Sequence, residues 1–157
     1  RSEPSKNGNK NIWELLIMDV KQRIVLDTNC LLMAIPRKSP YHQILLDFLS
    51  CKYYLCVSNE VVFEYEEILT RKVGKIVATN IINAILAAPN TIFINPQNRY
   101  HLIEADPDDN KFVDCAITAK AKYIVTQDRH YDIVRLNPKY DFTAIDIDYF
   151  MMLLKTE

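Results

Sequence analysis

The chain has 157 residues, 49% of them hydrophobic and 25% charged, with a formal net charge of -1. That length and apolar share suit one compact domain, and the near-neutral balance excludes a global basic field as the means of holding nucleic acid. Only two glycines, Gly8 and Gly74, are present and neither lies between a strand and a helix, which argues against dinucleotide folds and P-loops, whose backbones need several glycines to approach phosphate.

Residues 1–11 are polar and nonperiodic and read as a disordered lead-in. Residues 12–20, with Trp13, Leu15, Leu16, Ile17 and Met18, read as a short helix that docks on the domain or on a second subunit. Residues 1–20 are therefore set apart as an extension, and 21–157 as a single domain.

Ile24, Val25 and Leu26 form a buried-type run that ends in Asp27, Thr28 and Asn29. This pattern predicts a central parallel strand whose carboxyl end opens onto a site, and makes Asp27 the first catalytic candidate. The competing reading is a helix N-cap ahead of Leu31 and Leu32. Pro36-Arg37-Lys38-Ser39-Pro40 follows as a basic loop, in which Arg37 and Lys38 are candidates to hold a phosphate backbone.

Residues 41–50 carry apolar side chains at helical spacing, and 53–57 read as a second strand. Ser58 is placed to cap a helix whose apolar face is Val61, Val62, Tyr65, Ile68 and Leu69 and whose last turn holds Arg71 and Lys72. Gly74 breaks it, a further helix spans 76–88 before Pro89, and 91–94 read as a third strand ahead of the Asn95-Pro96 turn. Asp106 and Pro107 look like the cap and first position of a helix that runs to about residue 121. Residues 123–126 are a strand ending in Gln127 and Asp128, 142–145 are the last strand, and Asp146 starts a C-terminal helix. Strands alternating with helices predict parallel β-α-β units with right-handed crossovers.

If the strands at 24–26 and 123–126 are neighbours, Asp27 and Asp128 face one another across a single cleft. Asp109, near a helix start, reaches the same edge. Glu60, Glu64 and Glu67 share one helical face and offer a further carboxylate, but spacing does not choose between them or Glu66. Converging carboxylates without His or Cys suit a hard cation, Mg²⁺ or Mn²⁺, and phosphodiester hydrolysis is the natural reaction. Bound cations would also invert the local acidic charge and let a nearly neutral domain hold RNA. Cys30, Cys51, Cys56 and Cys115 contain no C-x-x-C pair, and the three histidines lack zinc-ligand spacing, so reduced thiols in a cytoplasmic protein are expected. No apolar run approaches the roughly 20 residues that cross a bilayer.

Four stretches, Val25-Leu26-Asp27-Thr28-Asn29, Glu64-Tyr65-Glu66-Glu67-Ile68-Leu69, Asp106-Pro107-Asp108-Asp109-Asn110-Lys111-Phe112 and Ile124-Val125-Thr126-Gln127-Asp128, resemble in order and spacing the PIN-domain family. Within it the chain is similar to the PIN-type (VapC-like) toxins of bacterial toxin–antitoxin systems. The resemblance implies a three-layer α/β/α sandwich with a central, mostly parallel sheet and a Mg²⁺- or Mn²⁺-dependent endoribonuclease. Carried residue by residue, it makes Asp27, Glu64, Asp109 and Asp128 the catalytic, metal-holding acids. Asn29 and Thr126 match polar positions that orient carboxylates or water. Asp114, about 140° around an ideal helix from Asp109, is at most an outer ligand, while Asp106 and Asp108 fit capping and dipole compensation. A small antitoxin and a homodimer are the implied protein partners, RNA the substrate, and no membrane is involved. The N-terminal extension has no counterpart in the family pattern, and the usual loop glycines are absent.

Three rivals remain in view. A phosphatase using Asp27 as nucleophile wants a second acid where Asn29 stands. A phosphorylated receiver domain wants paired acids at the first strand end and a Lys at the last, and neither is present. The alternative that the residues leave open is a non-catalytic module binding RNA or protein through the same cleft.

Overall fold

Ile24, Val25 and Leu26 are sealed from water because their strand lies at the centre of the sheet and is covered on both faces. The computed structural model describes residues 21–103, 107–128, 131 and 141–156. The expected helix at 12–20 lies outside them, as does Asp106. In chain order the elements are β1 (Arg23–Leu26), α1 (Thr28–Ala34), α2 (His42–Leu49), β2 (Tyr54–Val57), α3 (Asn59–Val73), α4 (Lys75–Ala87), β3 (Thr91–Phe93), a 3₁₀ turn (Pro107–Asp109), α5 (Asn110–Ala119), β4 (Tyr123–Val125), β5 (Thr143–Ile145) and α6 (Ile147–Lys155).

The strands form one five-stranded sheet in the order β3-β2-β1-β4-β5, with every pairing parallel. Helices cover both faces and complete the expected α/β/α sandwich. On one face Tyr53 packs its ring against Phe48 of α2 and Phe150 of α6. On the other, Tyr65 of α3 meets Phe112 of α5. Aromatic side chains of this size dominate core burial, so these clusters fix where the helices sit on the sheet.

Local chemistry explains the helix ends. The Ser58 hydroxyl accepts from the Val61 N–H, and the Asp146 carboxylate accepts from the Tyr149 N–H, each satisfying an orphan donor of the first turn. Gly74 adopts φ +90°, which lets the chain break between α3 and α4 without a Cβ penalty. The helix expected to begin at Pro107 instead opens with the 3₁₀ turn, a common entry into an α-helix. α5 stops at Ala119 because Lys120 turns into the left-handed region at φ +56°.

At the amino-terminal edge of the sheet lies an open cleft of about 820 Å³. Its lining includes Lys21, Arg23, Lys120 and Lys122, with Asp141 the one acid beside them among the described residues. The carboxyl-terminal edge carries the acids Asp27, Glu64 and Asp128, with Lys111 among them.

Candidate functional site

The order of the sheet reverses around β1 and β4, which is where open parallel sheets leave a crevice at their carboxyl ends. Leu26 stands opposite Val125, and the Asp27 N–H extends the ladder to the Val125 carbonyl at 3.0 Å. The residues that follow the two strands therefore emerge side by side. Thr126, wholly buried, donates its hydroxyl to Asp27 Oδ2 at 2.8 Å, and the same hydroxyl oxygen accepts from the Asp128 N–H at 3.0 Å. Thr126 thus ties the two strand-end acids into one unit.

Asp27 is only 6% exposed, and burial pushes its carboxyl up to about 6. The Thr126 hydroxyl and the Thr28 N–H oppose that rise, while the charges of Glu64 and Asp128 add to it. The backbone of Asp27 occupies the N-cap position of α1, yet its side chain makes no capping bond. The carboxylate accepts from the buried Thr126 hydroxyl instead.

α3 brings Glu64 to the same edge. The Thr28 hydroxyl donates to its Oε2, and Lys111 Nζ donates to its Oε1 at 2.6 Å. The rotation of α3 is set by its neighbour Tyr65, a buried phenol that donates to the Leu26 carbonyl at 2.6 Å. The other α3 acids turn elsewhere: Glu60 pairs with Arg99 at 2.6 Å, and Glu66 and Glu67 are exposed.

Asp109 closes the 3₁₀ turn, 9% exposed, with its Oδ2 away from solvent. Its carbonyl accepts from the hydroxyl of Tyr131 at 3.2 Å. Tyr131 is fully buried, and burial holds its phenol far above the usual range. The charges of Asp27, Asp109, Asp128 and Glu64 push it in the same direction. The four predicted acids therefore lie near enough to Tyr131 for their charges to act on its hydroxyl.

The remaining predicted residues fall outside this group. Asp114 accepts from the Tyr100 N–H at 3.0 Å and lies 3.9 Å from Arg99, so its known partners belong to the 99–101 segment. Asn29 is exposed on α1, and Arg37 and Lys38 are exposed in the loop between α1 and α2. Thr28, Lys111 and Tyr131 were not singled out from sequence. Thr28 and Lys111 do stand inside the acid-bearing stretches, one residue after Asp27 and two after Asp109. Tyr131 carries no comparable signal.

The donor set is all oxygen, which suits a hard divalent cation, with Asp27 and Asp109 buried and Glu64 and Asp128 half-buried. Among the described residues, however, no three His, Cys, Asp or Glu side chains are already arranged to close on one ion. Also among these residues, no helix is long and apolar enough to cross a membrane, and the four cysteines are free thiols.

The sequence profile of the PIN domain matches residues 23–130, from the start of β1 past Asp128. The chain belongs to the PIN-domain family. Its PIN fold is similar to a chain of VapBC2 from Rickettsia felis, crystallised bound to a DNA fragment from their promoter, at 15% identity and a TM-score of 0.56, covering 79% of this chain and 98% of that one. It is also similar to a chain of DNA-bound VapBC from Salmonella typhimurium, at 15% identity and a TM-score of 0.51, covering 80% and 98%. Among curated proteins none matches. At such identity the structural likeness speaks for the PIN fold alone.

Proposed function

We propose that this PIN-domain chain hydrolyses RNA phosphodiester bonds with Mg²⁺ or Mn²⁺ and acts as the toxin of a toxin–antitoxin pair. The observation that carries the nuclease reading is the hydrogen-bonded unit of Asp27, Thr126 and Asp128 at the ends of β1 and β4, to whose edge the Thr28 hydroxyl ties Glu64. Oxygen donors of this kind suit a hard cation, and these four acids are the ones that would hold it. When bound, such an ion supplies Lewis acidity to the scissile phosphate and to water. The chain's own contribution is to position: Thr126 orients Asp27, Thr28 orients Glu64, and Tyr65 locks α3 against the end of β1. Arg37 and Lys38 are free to meet a phosphate backbone from the α1–α2 loop. The likeness to chains of two VapBC complexes supports a small antitoxin as partner, and a homodimer is the expected assembly.

The test is RNA cleavage by the wild type and Asp27→Asn with Mn²⁺ or Mg²⁺, with and without EDTA. Cleavage is expected only for the wild type with metal, and cleavage that persists in the variant or in chelator would overturn the proposal. A non-catalytic RNA-binding module is the second reading, favoured by the arrangement of Glu64, which Lys111 and Thr28 already hold. RNA retained at equal affinity by both proteins with no cleavage by either would select it.

A further inference from the structure

We propose that Lys111 is a built-in counter-cation for Glu64 that a divalent ion must displace, so that this lysine sets how tightly the site loads. The inference rests on the metal-site reading above and deepens it. Lys111 sits at the second position of α5, directly after the turn that carries Asp109. Its ammonium is 2.6 Å from Glu64 Oε1, and Thr28 occupies Oε2, so both oxygens of this carboxylate are engaged. The pair is largely shielded, with side-chain exposures of 19% for Lys111 and 20% for Glu64. Charge-assisted hydrogen bonds in such surroundings are the strong ones. A divalent ion approaching Glu64 meets the ammonium at close range, and two cations on one carboxylate repel.

The lysine also has somewhere to go. Its stem is flexible, and Lys111 lines a cleft of about 220 Å³ whose other walls include the carboxylates Glu60, Asp108 and Asp114 together with Arg99 and His101. Release from Glu64 therefore gives the ammonium room in a cleft whose acids are shared with Arg99, 2.6 Å from Glu60 and 3.9 Å from Asp114. This two-position arrangement accounts for the absence, among the described residues, of three acids already closed on one point. Glu64 is satisfied internally until a stronger cation competes for it.

The experiment is Mn²⁺ binding by calorimetry on the full chain, comparing wild type, Lys111→Met and Lys111→Arg, with thermal unfolding of each in EDTA. Lys111→Met is expected to bind Mn²⁺ about tenfold more tightly than wild type, the discount for partial exposure included, and Lys111→Arg to bind no more tightly than wild type. Without metal Lys111→Met should melt at a lower temperature and regain more on adding Mn²⁺. Equal or weaker Mn²⁺ binding by a folded Lys111→Met overturns the role of Lys111 while leaving the metal site standing. Absence of Mn²⁺ binding by every form, wild type included, overturns the metal reading and this inference with it. If Lys111→Met does not fold, Lys111→Gln is read by the same criteria.

Discussion

Thr126 donates its hydroxyl to Asp27 at 2.8 Å, although 99 positions separate the two residues in the chain. The bond works against the burial that raises Asp27 and also anchors the Asp128 N–H. Thr126→Val keeps the shape and removes both functions. We expect a stability loss of about 1–3 kcal/mol by urea unfolding, because the buried Asp27 carboxylate and the part-buried Asp128 N–H each lose a partner. The acid limb of metal-dependent RNA cleavage should move up by about one pH unit, since Asp27 then holds its proton longer.

Asp27 itself is predicted to weigh against folding at neutral pH. In the fold its carboxyl is pushed up to about 6 from 3.8, so the native chain binds the extra proton between those values and stability falls as pH rises through that window. Above about pH 6 the full cost stands, with a ceiling of about 3 kcal/mol. Asp27→Asn should therefore be more stable than wild type at about pH 7.5 in EDTA, with a gain that shrinks toward about pH 4. Urea unfolding at several pH values checks the sign, and a variant less stable at neutral pH would contradict it.

Tyr131→Phe removes the hydroxyl that donates to the Asp109 carbonyl and feels the charges of the four acids. The ring still fills its place in the core. We expect a loss of about 1 kcal/mol, the ordinary net worth of one hydrogen bond, measured by denaturant midpoint at constant m-value.

Gly74→Ala isolates a conformational cost. A Cβ at this position meets nothing within 4 Å, so no clash contributes, but φ is +90°. We expect a destabilisation of about 1–3 kcal/mol, and a neutral result would mean that the α3–α4 junction relaxes.

The elements whose signals are local were legible in the sequence. Apolar runs ending in polar residues marked β1 and β4, Ser58 was read as a cap and makes its capping bond, Asp146 was read as the start of the last helix and caps it, and Gly74 marked the α3–α4 break. The acids could be nominated but not selected by spacing, because Glu60, Glu64 and Glu67 are equivalent on a helical face. What selects Glu64 is the rotation of α3, set by the Tyr65 bond to Leu26, and that contact spans 39 positions. Lys111 was missed for the same reason, since its partner is 47 residues away. Tyr131 owes its position to tertiary packing, which no periodicity records.

The cationic amino-terminal edge changes what the formal charge of -1 means to a passing polyanion. Strands of three or four residues separate the two sheet edges by roughly 10–13 Å, beyond the Debye length of about 8 Å in physiological salt. The field of each edge is therefore largely screened at the other, and an approaching polyanion responds mainly to the nearer edge. Among the described residues a polyanion is drawn to one end of the molecule and repelled at the other. Its capture at the acidic end depends on whatever neutralises that end first.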